Sequence, residues 1–302
     1  MSSREDATNL DNPLVSIIIP SYNSRKWVCD AIDCALQQTY PHCEVIVIDD
    51  GSTDGTSALL EEKYGCSIRY FYQKNSGLAA ARNAGISYAI GKYIQFLDAD
   101  DLIASNKLQV QVESLAGYDR PALSYCDYVC SDLTTNQLLD KKMSPVIKHE
   151  NQLHDLALRW ECDLSIPAHC FLFEAKLFTD HQILFDTSLP NHEDWDCWMQ
   201  IFALYPQIVF IDDVLAFYRQ NADSMCKNQQ KMRAGFLMAV TKQKRIFMDD
   251  PEMLQILRMK KENVRALYHE YGIAGRIKSH LPKLLVTLGR VVIPERVIRF
   301  FY

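Results

Sequence analysis

The chain has 302 residues, of which 48% are hydrophobic and 23% charged, with a formal net charge of −6. This balance excludes a disordered chain and leaves room for one large α/β domain with an appendage. No run of eighteen apolar residues occurs, so no spanning helix is expected, and ten cysteines without a CxxC pair read as buried thiols in a reducing compartment rather than disulfides or a zinc site.

Residues 1–12 are polar, lack an apolar segment and read as a loose tail rather than a signal peptide. Val15 to Ile19 is a β-branched run ending at Pro20, the pattern of a buried strand. Over 25–38, Trp27, Val28, Ala31, Ile32, Ala35 and Leu36 share one helical face, with Asn23 or Ser24 as a candidate cap. Glu44 to Ile48 is a second strand, followed by the polar turn Asp49 to Gly55 and a helix over 56–64. Ile68 to Tyr72 is a third strand, 77–90 a small-residue helix, and Tyr93 to Leu97 a fourth strand that runs into Asp98-Ala99-Asp100-Asp101. Beyond residue 120 the pattern loosens. Leu123–Val129, His169–Phe173, Ile208–Ile211 and Val214–Tyr218 read as strands and 194–204 as a helix anchored by Trp195, Trp198, Met199 and Phe202. From 227 onward the chain reads as helices, with Pro294 breaking an apolar, Arg-punctuated end over Leu281–Tyr302.

Strands alternating with helices imply a mostly parallel sheet, and such sheets bind ligands beyond the carboxyl ends of their strands. Three strand ends carry polar groups: Ser21-Tyr22-Asn23, Asp49-Asp50 and Asp98-Ala99-Asp100. Asp98 and Asp100, two residues apart past an apolar strand, suit a hard divalent cation beside phosphate oxygens. The plainer reading is a solvated turn, with Asp101 capping the next helix. Asp50 can accept a hydrogen bond from a base or ribose, or simply form its turn. Tyr22 can stack on a base or pack. Arg82 and Lys74 can meet phosphate or stay solvated. Glu193 and Asp194 either complement a helix dipole or supply a general base.

The segments VSIIIPSYN, VIVIDDGSTDGT, QKNSGLAAARNAG, YIQFLDADD and HEDWDCW occur in this order over residues 13–220. Together they closely resemble the inverting glycosyltransferases of family 2. The resemblance implies a GT-A fold, a Rossmann-like mixed sheet flanked by helices over 13–226, with a helical extension over 227–302. It implies a donor set of Pro20, Tyr22, Asn23, Asp50, Arg82, Asp98 and Ala99. Pro20, Tyr22 and Asp50 would lie at a uracil or thymine base, Arg82 near the nucleotide and Asp98 at the ribose. Asp100 would be the ligand of Mn²⁺ or Mg²⁺, and Asp194 the catalytic base with Glu193 close to the acceptor. The implied reaction moves a sugar from a UDP- or dTDP-sugar to a hydroxyl of a glycan or lipid-linked acceptor. The alternative is a sugar-nucleotide-binding subunit of a heteromeric glycan polymerase that does not turn over. One departure stands out: after Tyr218-Arg219, Asn221 replaces the family's usual His and Cys226 its second Ser.

Residues 227–302 hold 16 of the 32 basic and 6 of the 38 acidic residues, so the extension carries +10 and the body −16. A basic, apolar end fits an anionic membrane surface, and equally a helical subdomain whose charges are merely solvated. Nucleic acid is disfavoured by the acidic body and the scarcity of aromatics in the tail. The expected location is cytoplasmic, peripheral on the inner face of the plasma membrane.

Overall fold

An eight-stranded mixed sheet carries the fold, with strands in the order β3-β2-β1-β4-β7-β6-β8-β5. The computed structural model describes residues 12–132, 138–139, 142–143, 145–147, 150, 152–220 and 228–278, with side chains to residue 266. The chain divides into two compact units. The first comprises Met1–Val146, Ile166–Thr187 and Gln200–Ala222, and the second Ile147–Ser165, Ser188–Met199 and Asp223–Tyr302.

The sheet belongs to the first unit. β1 (Val15–Ser21), β2 (Cys43–Asp49), β3 (Arg69–Tyr72) and β4 (Tyr93–Phe96) form its parallel half. α1 (Val28–Leu36), α2 (Thr56–Tyr64) and α3 (Leu78–Tyr88) connect these strands. The other half contains β5 (Leu102–Ile103), β6 (Ala122–Asp132), β7 (Phe171–Glu174) and β8 (Gln207–Gln220), with α4 (Lys107–Ser114) and the single turn α6 (Lys176–Thr179). β7 runs antiparallel to both β4 and β6, while β6 and β8 are parallel. The mixed α/β sheet flanked by helices expected from the sequence is therefore present.

Both faces of β1 and β2 are covered, which explains their unbroken apolar runs. Val15, Ile17, Ile19, Val45 and Val47 enter one core with α1, Leu60 and Tyr64. Ile46 and Ile48 meet Ala81 on the other side. Gly85 of α3 sits so close to β1 that an added Cβ would lie 2.2 Å from Ile18 Cγ2. Alanine ordinarily stabilises a helix over glycine by about 1 kcal/mol, but overpacking costs about 1–3 kcal/mol. Gly85→Ala is therefore expected to lower the melting temperature in a thermal denaturation scan. A rise would show that α3 can move away from β1.

Several sequence expectations are corrected. Neither Asn23 nor Ser24 caps α1 through its side chain, because Asn23 Oδ1 accepts the Thr53 N–H (2.8 Å) and Ser24 Oγ pairs with Ser21 Oγ (2.5 Å). Leu36 is exposed, since the apolar stripe of α1 ends at Ala35. Ile208–Ile211 and Val214–Tyr218 are one strand: Ile211 pairs with Cys126 and Val214 with Asp127, so Asp212-Asp213 form a bulge that the sequence presents as a break. The strand expected from His169 begins at Phe171, behind a single 3₁₀ turn over Ala168–Cys170.

The second unit is helical. α5 (Gln152–Arg159) and α8 (Gln229–Ile246) both pack on α9 (Pro251–Lys278). Lys260 of α9 is buried and donates to the carbonyls of Leu158 (3.3 Å) and Trp160 at the carboxyl end of α5. That is where a helix dipole favours a cation, although burial lowers the amine's pKa. The helices expected after 227 are thus present in α8 and α9. The tail at 1–11 and the apolar end at Leu281–Tyr302 lie outside the described residues. Among the described residues, no helix is long and apolar enough to cross a membrane.

Candidate active site

The carboxyl ends of β2, β1 and β4 lie side by side, since Ser21 pairs with Asp49 and Ile18 with Phe96 in parallel register. Pro20 occupies a central strand without harm. Ile18 faces β4, its carbonyl accepting the Leu97 N–H (2.9 Å), so residue 20 faces the same way where pairing with β4 has ended. Tyr22, just past β1, is 53% exposed. Asn23 adopts φ 49°, and its N–H donates to Ser52 Oγ (2.9 Å) while its side chain holds Thr53. The loops after β1 and β2 are thereby stitched together.

Asp50 is 3% exposed. Its Oδ1 accepts from Gln73 Nε2 (2.7 Å) and the Ser76 N–H (2.8 Å), and its Oδ2 from the Gly77 N–H (2.8 Å). A carboxylate has about four lone-pair sites, of which these contacts use three. The same contacts hold the loop that starts α3. Gly51 is left-handed (φ +82°), and a Cβ there would lie 2.7 Å from the Asn75 nitrogen, so the two loops meet backbone to backbone. Lys74 is exposed on this loop.

Arg82, 2% exposed on α3, grips Asp98 through Nη2, 2.9 Å from Oδ1 and 3.1 Å from Oδ2. Its guanidinium also lies over the Phe185 ring, 5.3 Å from the centroid. Neighbouring Asn83 fixes that ring's backbone by exchanging hydrogen bonds with the Phe185 N–H (2.9 Å) and carbonyl (2.8 Å). Arg82 and Asp98, far apart in sequence, are therefore one ion pair. Ala99, between Asp98 and Asp100, is buried. Asp100 is different: burial, with Asp101 and then Asp98 beside it, pushes its carboxyl up to about 7.

Asp101 does not cap a helix, because α4 begins only at Lys107. Its Oδ1 accepts the Arg219 N–H (2.8 Å) and its Oδ2 lies 3.0 Å from His169 Nδ1. Burial works against the His169 imidazolium, but the Asp101 carboxylate outweighs it and raises the pKa. Arg219, 2% exposed, donates through Nε to the Asp100 carbonyl and through Nη1 to Asp30 Oδ2 (2.8 Å). β8 thus clamps the acidic loop from behind. Sequence reasoning passed over Asp30, Gln73, Asn83, His169 and Phe185. Gln73 and Asn83 lie within the QKNSGLAAARNAG segment, and Arg219 in the Tyr-Arg pair, so these three carried a signal.

The remaining candidates, Glu193 and Asp194, belong to the second unit at the start of α7 (Glu193–Phe202). Glu193 is 8% exposed, Asp194 is partly exposed, and Asp194 Oδ1 accepts the Trp195 N–H (2.7 Å). Trp195 is fully buried and donates from Nε1 to the Leu156 carbonyl (3.1 Å). Asn221 and Cys226 lie outside the described residues.

This mixed sheet is that of the GT-A glycosyltransferases. Staphylococcus aureus TarS 1–349 in complex with UDP-GlcNAc is similar at a TM-score of 0.58 and 19% identity, over 75% of this chain and 66% of that one. The mannosyltransferase PcManGT from Pyrobaculum calidifontis, in complex with GDP-Man and Mn²⁺, is similar at 0.60 and 18%, over 96% and 84%. Residues 16–179 match the profile of Glycosyl transferase family 2. An uncharacterised glycosyltransferase of Rickettsia typhi is 34% identical over 94% of this chain and 88% of its own length. The chain belongs to glycosyltransferase family 2. It spans 44% of the length of longer uncharacterised glycosyltransferases from Rickettsia conorii and Rickettsia felis, to which it is 33% and 32% identical.

Proposed function

We propose that the chain transfers a sugar, with inversion, from a UDP- or dTDP-sugar to a hydroxyl of a glycan or lipid-linked acceptor. The observation that carries this reading is the contrast between two neighbouring carboxyls. Asp98 is paired with Arg82, whereas Asp100, partly buried with Asp101 and Asp98 beside it, is pushed up to about 7. Such a carboxyl gains from a cation, and Mg²⁺ or Mn²⁺ needs only one or two protein carboxylates when phosphate oxygens complete its shell. Asp100 would hold the metal, which supplies neutralisation of charge on the departing diphosphate. Asp50 would take the imino N–H of the base, Pro20, Tyr22 and Asn23 would line the base, and Ala99 would lie against the nucleotide. Asp194 would take the proton from the acceptor hydroxyl, with Glu193 beside the acceptor.

Thermal-shift screening of nucleotide sugars with and without Mn²⁺, followed by release of the nucleoside diphosphate in acceptor mixtures, tests this reading. We expect a UDP- or dTDP-sugar to stabilise the protein only with metal and to be consumed. Binding without turnover under every acceptor would favour the binding-subunit alternative.

A pH dependence follows from Asp100. Its carboxyl must lose a proton to receive a cation, and its pKa of about 7 means that most of it is protonated at pH 6. Metal-dependent UDP affinity is therefore expected to rise about tenfold from pH 6 to pH 8. Calorimetry at the two pH values would show it, and a flat profile would count against Asp100 as the ligand. The membrane role of 227–302 is tested by cosedimentation with anionic vesicles. We expect loss of binding when 275–302 are deleted, and unchanged sedimentation would reject it.

A further inference from the structure

Among the described residues of the second unit, backbone strain is concentrated at two residues that touch each other. Glu161 and His192 both adopt left-handed φ angles, 56° and 59°, although neither is glycine. Such positions cost on the order of 1 kcal/mol or more and persist only where the surroundings enforce them. His192 Nε2 lies 2.8 Å from Glu161 Oε1, across 31 residues of sequence. Its other nitrogen, Nδ1, lies 2.5 Å from Asn191 Oδ1. The Asn191 amide cannot be reversed, because its Nδ2 donates to the Lys231 carbonyl (2.9 Å). Nδ1 is therefore the donor to Asn191, and Nε2 faces the Glu161 carboxyl. The ring stacks on Phe236 at 4.1 Å and 10°. α8 approaches closely enough for this only because residue 235 is glycine, where a Cβ would lie 2.0 Å from Asn191 Oδ1.

His192 is the last residue before α7, and its carbonyl accepts the Asp196 N–H (3.0 Å), the first hydrogen bond of that helix. Whatever sets the backbone of His192 sets the origin and rotation of the first turn of α7, which carries Asp194. The geometry points to Glu161, His192 and Asn191 as a positioning strut that aims the Asp194 carboxylate for proton abstraction. None of the three touches the reacting atoms. The inference rests on the reading of Asp194 as the base. The physical demand is real, since a general base works only within hydrogen-bond reach of its proton, about 2.6–3.2 Å. A misplacement of about 1 Å costs roughly a hundredfold.

The test uses the full chain with Glu161→Ala, Glu161→Gln and His192→Phe, the last keeping the stacked ring and removing both hydrogen bonds. Glu161 is on the partly exposed side of the pair, its side chain 24% accessible, so its variants should fold. We expect Glu161→Ala and His192→Phe to lower kcat tenfold or more, while calorimetric UDP affinity and donor KM change less than twofold. Glu161→Gln can still hydrogen-bond Nε2 through its amide and should recover most of kcat. Lys242→Met is the control. It breaks the 2.6 Å pair with Asp196 two residues further along the same helix, and should lower the melting temperature without lowering kcat.

A kcat within twofold of the parent in Glu161→Ala, or an equal loss in Lys242→Met, overturns the strut. Failure of the underlying reading has a different signature: Asp194→Asn would itself retain full transfer.

Discussion

Asp194→Asn is expected to bind UDP in Mn²⁺ as tightly as the parent chain and to lose sugar transfer by about 10²–10⁴-fold, the contribution of a positioned base. The substitution isolates chemistry from architecture. Oδ1 of Asp194 accepts a hydrogen bond from the Trp195 N–H, and an asparagine carbonyl oxygen can accept it equally. Trp195 remains buried with its Nε1 on the Leu156 carbonyl, so the start of α7 keeps its anchor. The residues proposed to bind the donor all belong to the other unit, at its strand ends and on α3. Nucleoside diphosphate release in the presence of acceptor, set beside calorimetric UDP affinity, makes the comparison. Full turnover by Asp194→Asn would move the base elsewhere.

Asp100→Ala should have the opposite signature, with weak donor binding from the outset. Loss of a partner behind a metal ligand typically costs about 10–100-fold in metal affinity, so loss of the ligand itself should cost about a hundredfold or more. The fold should survive, because burial and neighbouring Asp101 and Asp98 disfavour the Asp100 carboxylate in the free protein. Removing it relieves repulsion. The Asp100 carbonyl, which accepts from Arg219 Nε, is unaffected by the side chain. Asp98→Ala would be a poorer probe. It removes one carboxylate partner from Arg82, which is 2% exposed, so destabilisation would accompany any change in binding. UDP affinity in Mn²⁺ that is unchanged in Asp100→Ala would contradict the assignment.

The parallel half of the sheet was legible because both faces of its strands are buried, so Val15–Ile19 and Glu44–Ile48 show as short unbroken apolar runs between polar turns. The convergence of three strand ends followed from that alternation. What the sequence did not show are contacts made across distance. Asp101 reads as a cap when only its neighbours are known, yet its partners are Arg219 and His169, 118 and 68 positions away. Asn23 reads as a cap for the same reason and instead holds Thr53. The exposed pair Asp212-Asp213 looks like the end of a strand, because a bulge inserts polar residues without ending the pairing. Glu161 has no local pattern at all, since its left-handed turn is held by a histidine far along the chain.

The most direct measurement is a crystal structure of the chain with UDP and Mn²⁺. The account predicts a pyrimidine whose imino N–H meets Asp50, a ribose at Asp98, and a metal joining Asp100 to the diphosphate. A nucleotide seated anywhere other than the carboxyl ends of β1, β2 and β4 would contradict it.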